Sequence, residues 1–363
     1  MKSIRIVQSG DFHLDSPLAL HHLSFRKQRR EELLQSFSHI IDFSIETNSD
    51  LLLLTGDLFD SSRVTQKTLD FLSREMKRFR GSIFISPGNH DPYTPESPYE
   101  TFSFPGNTHI FRAYEEIYLD ELDCLVCGQG FTGAYQHQNM LHGRKPVHSA
   151  SFKLLVMHGE VTTGANEYNP ISRESIAESG FHYIALGHRH EFSGILKEGK
   201  TSFAYAGIPE GRGFDELGEK GIIHGEVFET GTNLSFRKIN QRSYSIVQVS
   251  LAGAFTTSEI CDRILDSIEK RNDILKIELT GKVPSYLNID IEGITAALTT
   301  HLSYFTVTDR TSVNESIEHI SENTLKGLFL KTIMERKESS TIDHELLDEA
   351  ASLGLRILSQ EDF

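Results

Sequence analysis

Leu51-Leu52-Leu53-Leu54-Thr55-Gly56-Asp57-Leu58-Phe59-Asp60 is the stretch on which the fold turns. A short, wholly apolar run stopped by glycine reads as a strand buried on both faces. Beyond the glycine stand two aspartates three residues apart. The same phrase recurs through the first 240 residues. Ile4–Gln8 leads into Gly10-Asp11-Phe12-His13, and Ile83–Ser86 into Pro87-Gly88-Asn89-His90-Asp91. Leu154–Met157 leads into His158-Gly159-Glu160, and Tyr183–Leu186 into Gly187-His188-Arg189-His190. Stretches with helical period, Arg29–Thr47 and Thr65–Arg80, lie between these runs. Alternating strand and helix makes an α/β sheet, whose ligands gather at the carboxyl ends of its strands. Strand ends that all deliver Asp, Asn or His to one edge make a site.

Asp, His and Asn together suit hard or borderline divalent ions such as Mn²⁺, Mg²⁺, Fe²⁺ or Zn²⁺. In Asp11-x-His13 and His188-x-His190 the two side chains leave one strand end on the same side, because residues i and i+2 do so. Ligands drawn from five separate segments can hold two ions. A shared carboxylate would keep these roughly 3.5–4 Å apart, the spacing that flanks an in-line displacement at phosphorus. Singly, each fragment is an ordinary turn, loop or satisfied histidine. Their order, each after a strand, points to a dimetal site.

Composition narrows the setting. The 363 residues carry a formal charge of −15, which argues against a simple polyanion-binding surface. Contact with nucleic acid would therefore run through metals, a local basic patch or a partner. Of 17 histidines, 14 precede residue 241, in the part that holds the metal motifs. Three cysteines cannot all pair, and a reducing cytoplasm fits them best. Cys124 and Cys127 form a C-x-x-C without a second pair, so they read as structural. No apolar run approaches the roughly 20 residues that span a bilayer, and no membrane association is expected.

On Asp11-x-His13, Gly56-Asp57-x-x-Asp60, Gly88-Asn89-His90-Asp91, His158 and Gly187-His188-x-His190, the chain resembles the calcineurin-like metallophosphoesterases. Within them it looks like the SbcD/YhaO-type DNA repair exonucleases, bacterial relatives of the Mre-eleven nuclease. That branch rests on Tyr205–Gly221 and on the small domain after it; Ala206 stands where the family usually has proline. The resemblance implies a β-sandwich flanked by helices, with a small α/β cap and a C-terminal helical segment. It implies that Asp11, His13 and His190 hold one ion, that Asp57 bridges, and that Asn89, His158 and His188 hold the second. Mn²⁺ is the favoured metal. His90 becomes the general acid, because an imidazole protonates a leaving alkoxide near neutral pH. Asp60 matches the position that orients this histidine, and Asp91 reads as a supporting residue. The implied activity is hydrolysis of DNA phosphodiesters as the nuclease subunit of a repair complex, exonucleolytic, with endonucleolytic cutting left open. The alternative is a phosphodiesterase or phosphatase acting on small nucleotides. Implied partners are DNA, a coiled-coil ATPase resembling SbcC or YhaN, and a second copy of the chain.

Residues 1–240 are thus expected to form the nuclease domain, 241–310 the cap, and 311–363 a linker with partner-binding helices. Beyond residue 241, Tyr244–Ser250, Leu275–Leu279 and Tyr304–Thr308 read as strands, and Ile260–Ile268 and Ile289–Leu302 as helices. Asn323–Lys337 and Thr341–Leu358 each show an apolar helical stripe that must be covered by something. The densest basic run, Arg26-Lys27-Gln28-Arg29-Arg30, reads as a solvated helix start or as a phosphate track in which Arg29 and Arg30 touch DNA. Arg63 and Arg212 are single candidates for the same duty. Tyr93, Tyr99, Phe102 and Phe104 crowd the proline-rich segment after the Asn89 motif, where they would stack an unpaired base or pack down as a stiff lid. His21, His22, His137, His142 and His148 read as solvent-facing or structural.

Overall fold

Leu51–Leu54 is a strand, and its side chains alternate between two different cores. The computed structural model describes residues 2–18, 23–254, 256–283, 289–313, 324–339 and 344–360. His21, His22 and Ile342 lie outside them. The chain divides into two units, Met1–Ser243 and Tyr244–Phe363.

The first unit holds two six-stranded sheets. One runs in the order Gly231–Lys238, Gly221–Phe228, Ile4–Ser9, Leu51–Leu54, Ser82–Ile85, Thr108–Ile110. Its four N-terminal strands are parallel, and Gly221–Phe228 joins them antiparallel to Ile4–Ser9. The other runs Leu196–Glu198, Thr201–Tyr205, Tyr183–Gly187, Phe152–His158, Cys124–Gln129, Glu115–Leu119, with a parallel centre. Ile4, Ile6, Leu51, Leu53 and Phe84 of the first sheet meet Val126, Leu154, Val156, Tyr183 and Ala185 of the second in one buried cluster. That interface makes the sandwich. Each such aliphatic side chain contributes about 1.5–3 kcal/mol by leaving water.

Helices cover the outside of the first sheet. Leu52, Leu54, Ile83 and Ile85 pack on Phe37, Ile40 and Ile41 of the helix Leu23–Glu46 and on Leu72 and Met76 of the helix Gln66–Arg78. Thr65 caps the second helix, its hydroxyl accepting from the Thr68 amide. On the outside of the second sheet, Leu125, Leu155, Met157, Ile184 and Leu186 pack on Leu141, Ile176 and Phe181. Cys124 and Cys127 are buried in strand and unpaired with each other, and burial pushes both thiols up to about 12.

The second unit holds a parallel three-stranded sheet in the order Tyr244–Ser250, Ile274–Thr280, Tyr304–Asp309. Helices Thr257–Asp266 and Ile291–Leu298 pack on it through Ile260, Ile264, Ile294 and Leu298. Helices Leu325–Ser339 and His344–Gln360 belong to the same unit and pack on each other. Leu330, Leu347 and Leu355 are buried, and Gly354 sits so close to Phe329 that a Cβ there would lie 2.2 Å from the ring. No helix among the described residues is long and apolar enough to cross a membrane.

Candidate metal centre

The strand ends converge as their sequence order requires. Asp11 and His13 follow Ile4–Ser9, Asp57 follows Leu51–Leu54, Asn89 and His90 follow Ser82–Ile85, His158 ends its strand, and His188 and His190 follow Tyr183–Gly187. Loop-to-loop hydrogen bonds hold them: the Asp11 amide donates to the Gly56 carbonyl and the His13 amide to the Asp57 carbonyl, both at 2.9 Å. The His188 amide donates to Asp11 Oδ1 at 3.0 Å and the His90 amide to Asp57 Oδ1 at 2.9 Å. Space is tight enough to demand glycine: a Cβ on Gly88 would stand 2.2 Å from Asp57 Oδ1.

The backbone is strained where the side chains converge. Asp11 (φ 52°), His13 (46°), Asp57 (49°) and His188 (109°) all have positive φ, four of the eight described non-glycine residues that do, which marks this edge as functional.

Candidate ligand atoms of Asp11, His13 and His190 lie within 4.8 Å of one another, and so do those of Asp11, Asp57 and His158. Asp57 Oδ2 stands 3.7 Å from His13 Nε2 and 3.6 Å from His158 Nε2, between the two halves of the set. Asn89 Oδ1 lies 3.0 Å from His158 Nε2 and 3.3 Å from His188 Nδ1. All seven sequence-predicted ligands are therefore gathered at one place.

The hydrogen-bonding chemistry fits cations here. His158 Nδ1 faces the Thr55 carbonyl at 2.8 Å, and a carbonyl only accepts, so Nδ1 carries the proton. Its Nε2 lone pair then points at two more acceptors, Asn89 Oδ1 and Asp57 Oδ2. Three lone pairs converging without a proton call for a positive charge. Both ring nitrogens of the buried His13 lack a well-directed hydrogen bond. Asp11 and Asp57 are each 2% exposed, and burial together with the Asp57 charge raises the Asp11 carboxyl well above the usual range. Burial also pushes His158 down to about 3 and His188 down to about 4, which keeps both imidazoles neutral as ligands must be.

Two residues outside the ligand set orient it. Glu216 Oε1 accepts from His190 Nδ1 at 2.8 Å, which frees Nε2 for the site. Burial opposes ionisation of Glu216, but the hydrogen bonds from His190 and Arg212 hold its carboxyl down at about 2. Asp60 Oδ1 lies 3.3 Å from His13 Nδ1. This corrects the expectation that Asp60 orients His90: the Leu14–Phe59 bridge sets Asp60 beside His13, and among the described contacts no hydrogen bond joins it to His90. His90 is exposed, with its ring edge-on to His13 at 4.7 Å. Asp91 is fully buried and accepts the amides of Asp57, Leu58, Phe59 and Gly88 and the Tyr99 hydroxyl, so it shapes the Asp57 turn.

The basic candidates separate. Arg29 is 1% exposed, paired with Glu32 and Glu210, and donates to the Gly211 carbonyl at 2.7 Å. It is neither a solvated helix start nor within reach of a phosphate. Arg212 turns its guanidinium to Glu216 at 2.7 Å and Asp60 at 3.6 Å, so it supports the carboxylates behind His190 and His13 in place of facing DNA. Arg30 and Arg63 are exposed. Of the aromatic segment, Tyr99 is 4% exposed with its hydroxyl on Asp91, and Tyr93, Phe102 and Phe104 pack against the same core: it is a packed-down lid. Sequence reasoning missed Glu216, Thr55 and Asn169, whose buried amide donates to the His158 carbonyl at 2.8 Å. Glu216 lies within the Tyr205–Gly221 segment already singled out, but one glutamate among several there carries no mark of its own.

A sequence profile described as calcineurin-like phosphoesterase matches residues 4–192, just over half the chain and the span of all the metal motifs. The chain belongs to the calcineurin-like phosphoesterases. As a calcineurin-like phosphoesterase it is a metal-dependent phosphoester hydrolase with a dimetal centre. This phosphoesterase is similar to the uncharacterized metallophosphoesterase YhaO of Bacillus subtilis (strain 168), 25% identical over 307 residues that cover 79% of this chain and 74% of YhaO. It is similar also to the DNA double-strand break repair protein Mre11 of Methanocaldococcus jannaschii, 26% identical over 225 residues, 54% of this chain and 60% of that protein. Among solved structures, a dimetal phosphatase from Danio rerio aligns with 66% of this chain and 97% of its own at 9% identity and a TM-score of 0.45.

Proposed function

We propose that this chain hydrolyses the phosphodiester bonds of DNA, as the nuclease subunit of a repair complex. The observation that carries the chemistry is the exposed His90 set edge-on to the buried His13, beside overlapping groups of candidate metal ligands. The polymer substrate is supported by the likeness to an archaeal Mre11 protein and by a second folded unit, Tyr244–Phe363, that a hydrolase of small molecules does not need.

In this reading Asp11, His13 and His190 hold one ion, Asn89, His158 and His188 the other, and Asp57 lies between them. Two divalent ions, Mn²⁺ by preference for mixed N and O ligands, would neutralise phosphoryl oxygens and acidify a water. His90 delivers a proton to the leaving 3′- or 5′-oxygen. Glu216 keeps the proton on Nδ1 of His190, so that this ring offers Nε2, and the Asp60 carboxylate 3.3 Å from His13 Nδ1 favours the same tautomer there without a well-directed hydrogen bond. Arg212 keeps both carboxylates in place.

A partner is part of the same reading. Leu325, Leu328, Met334, Leu346, Leu353 and Ile357 on the two C-terminal helices are 46–67% exposed. Apolar side chains left this open suit helices of an SbcC- or YhaN-like coiled-coil ATPase.

The test is a matrix of metals against substrates on purified protein: linear duplex DNA, single-stranded DNA, bis-p-nitrophenyl phosphate and cyclic nucleotides, each with Mn²⁺, Mg²⁺ or Zn²⁺. Mn²⁺-dependent shortening of DNA is expected. Cleavage of the small esters with both DNAs left intact would replace this reading with that of a small-nucleotide phosphodiesterase.

A further inference from the structure

A row of aromatic rings leads away from the metal ligands on the His188 side. Tyr168 lies against His188 with ring centroids 5.0 Å apart, Tyr135 follows Tyr168 at 6.1 Å, and His137 stacks on Tyr135 at 6.2 Å with the planes only 16° apart. Tyr135 is 60% exposed, and His137 is exposed beside it. A tyrosine held this open gains little for stability, since its apolar surface remains in water.

The row is built into the site and does not hang from a loose loop. A bridge pairs Gln136 with Tyr168; the Gln136 amide donates to the Glu167 carbonyl at 2.7 Å and the Asn169 amide to the Gln136 carbonyl at 2.6 Å. The fully buried Asn169 then ties both segments to the ligand loop, its Nδ2 donating to the His158 carbonyl and its Oδ1 accepting from the Met140 amide, both at 2.8 Å. Gly159 has no room for a side chain against it: a Cβ would stand 2.6 Å from Asn169. The position of the two tyrosines is therefore coupled to that of His158.

Charge singles out the same stretch. In a chain of net charge −15, residues 124–159 contain no Asp or Glu, while they hold Arg144, Lys145, Lys153 and the histidines 137, 142, 148 and 158. Glu160, which ends the stretch, is ion-paired with Arg189. The segment that carries Tyr135 and His137 thus adds no carboxylate of its own, and Glu167 beside Tyr168 is the acidic residue flanking the row.

Aromatic faces that accept any base, next to a segment without carboxylates, are how proteins hold unpaired strands without reading sequence. Resting on the DNA reading above, we propose that Tyr168, Tyr135 and His137 form a stacking track for the bases of a single-stranded end, immediately beside the phosphate being cut. The exposed end, Tyr135 with His137, takes a base, and Tyr168 joins that base to the metal side.

The test uses the full-length, metal-loaded chain and phosphorothioate-linked 12-mers that resist cleavage: a normal single strand, the same strand made abasic, and a blunt duplex, with a mononucleotide as the free-base arm. Tyr135→Ala and, as a bulk-preserving second variant, Tyr135→Leu should each raise the single-strand Kd by about tenfold, while Tyr135→Phe stays within about twofold of the parent. The abasic strand should bind all four proteins alike. The proposal is overturned if the single strand binds Tyr135→Ala as tightly as the parent, if the abasic strand loses as much, or if Phe behaves as Ala. A mononucleotide that binds as well as the strand would assign the rings to a small-nucleotide site. A parent protein that binds no DNA at all fails at the earlier step, before any variant is measured, and takes the track with it.

Discussion

Glu216 offers the sharpest perturbation of the site, because it touches no substrate and still governs one ligand. Its Oε1 accepts from His190 Nδ1 at 2.8 Å and from Arg212 at 2.7 Å, and its Oε2 accepts the Arg212 amide at 2.7 Å. Removing the outer partner of a metal-binding histidine typically lowers metal affinity about 10- to 100-fold, or roughly 1.4–2.7 kcal/mol. Glu216→Gln keeps an acceptor for His190 but loses the charge that holds Arg212, so about tenfold is expected. Glu216→Ala also frees the ring to rotate and should approach 100-fold. Calorimetric titration with Mn²⁺ should show one of two binding events weakened by these factors and the other, at Asn89, His158 and His188, little changed. Wild-type affinity for both ions in Glu216→Ala, or equal loss of both, would refute the reasoning. The carboxyl adds a pH signature in metal-free protein. Its folded pKa, about 2, lies below the ordinary 4.5, so its stabilisation is complete above about pH 5 and disappears as pH falls through 2. The difference corresponds to on the order of 3 kcal/mol. Denaturant midpoints of wild type and Glu216→Gln should therefore differ at pH 6 and converge near pH 2.

His90→Gln should retain both ions by elemental analysis while turnover falls by about 10²–10⁴; a variant that loses metal would make His90 a ligand. Asp57→Ala should lose more metal than any other single ligand change, since Asp57 Oδ2 stands between His13 and His158; one ion or none in Mn²⁺-loaded wild type would end the two-metal reading. Arg29→Ala should cost about 3–5 kcal/mol in urea unfolding because it takes the ion-pair partner from the buried Glu210 and leaves Glu32 to Arg242, and it should leave the salt dependence of DNA binding unchanged; a normal midpoint with a shallower salt slope would restore Arg29 to the phosphate track.

How far this molecule can be read from its letters depends on the range of each interaction. Leu51–Leu54 and Tyr183–Gly187 are legible because a buried strand is uniformly apolar and its end is marked by glycine, so the residues just past it must lie at one edge. A dimetal site at that edge follows from this rule and from the order of the motifs, and the seven candidate ligands from the family resemblance those motifs carry. The setting of Asp60 does not: whether it faces His13 or His90 is decided by one bridge between Leu14 and Phe59, which no local pattern announces. Arg29 failed for a similar reason. In sequence it is one of four cations in a row of five, and only its partner Glu210, 181 residues away, takes it out of solvent. The aromatic segment after Asn89 stands out by its density, and density turned out to signify packing: Tyr99 and Phe104 fill the lid. The exposed Tyr135 and the half-buried Tyr168 lie 33 residues apart, with nothing in either neighbourhood to pair them.

The strained backbone and the buried charges of the site have a common explanation. Asp11, His13, Asp57 and His188 each adopt a positive φ that costs of order 1–3 kcal/mol, and Asp11 and Asp57 place two carboxylates in the interior with no matching cation among the described side chains touching both. Neither feature would persist unless something outweighed it. Part of the answer is the frame: amides of Asp11, His13, His90 and His188 are all engaged across loops, so the turns are over-determined by hydrogen bonds to Gly56, Asp57 and Asp11. Bound cations would supply the rest. In the proposed assignment a divalent cation held by Asp11, His13 and His190 would remove the repulsion that raises the Asp11 carboxyl, and one held by Asn89, His158 and His188 would give the converging lone pairs a partner. Binding therefore adds to folding stability, because the unfolded chain has no such arrangement to offer a metal. Strain, burial and metal affinity are three views of one construction, in which the two sheets hold ligands closer together than their own charges would allow.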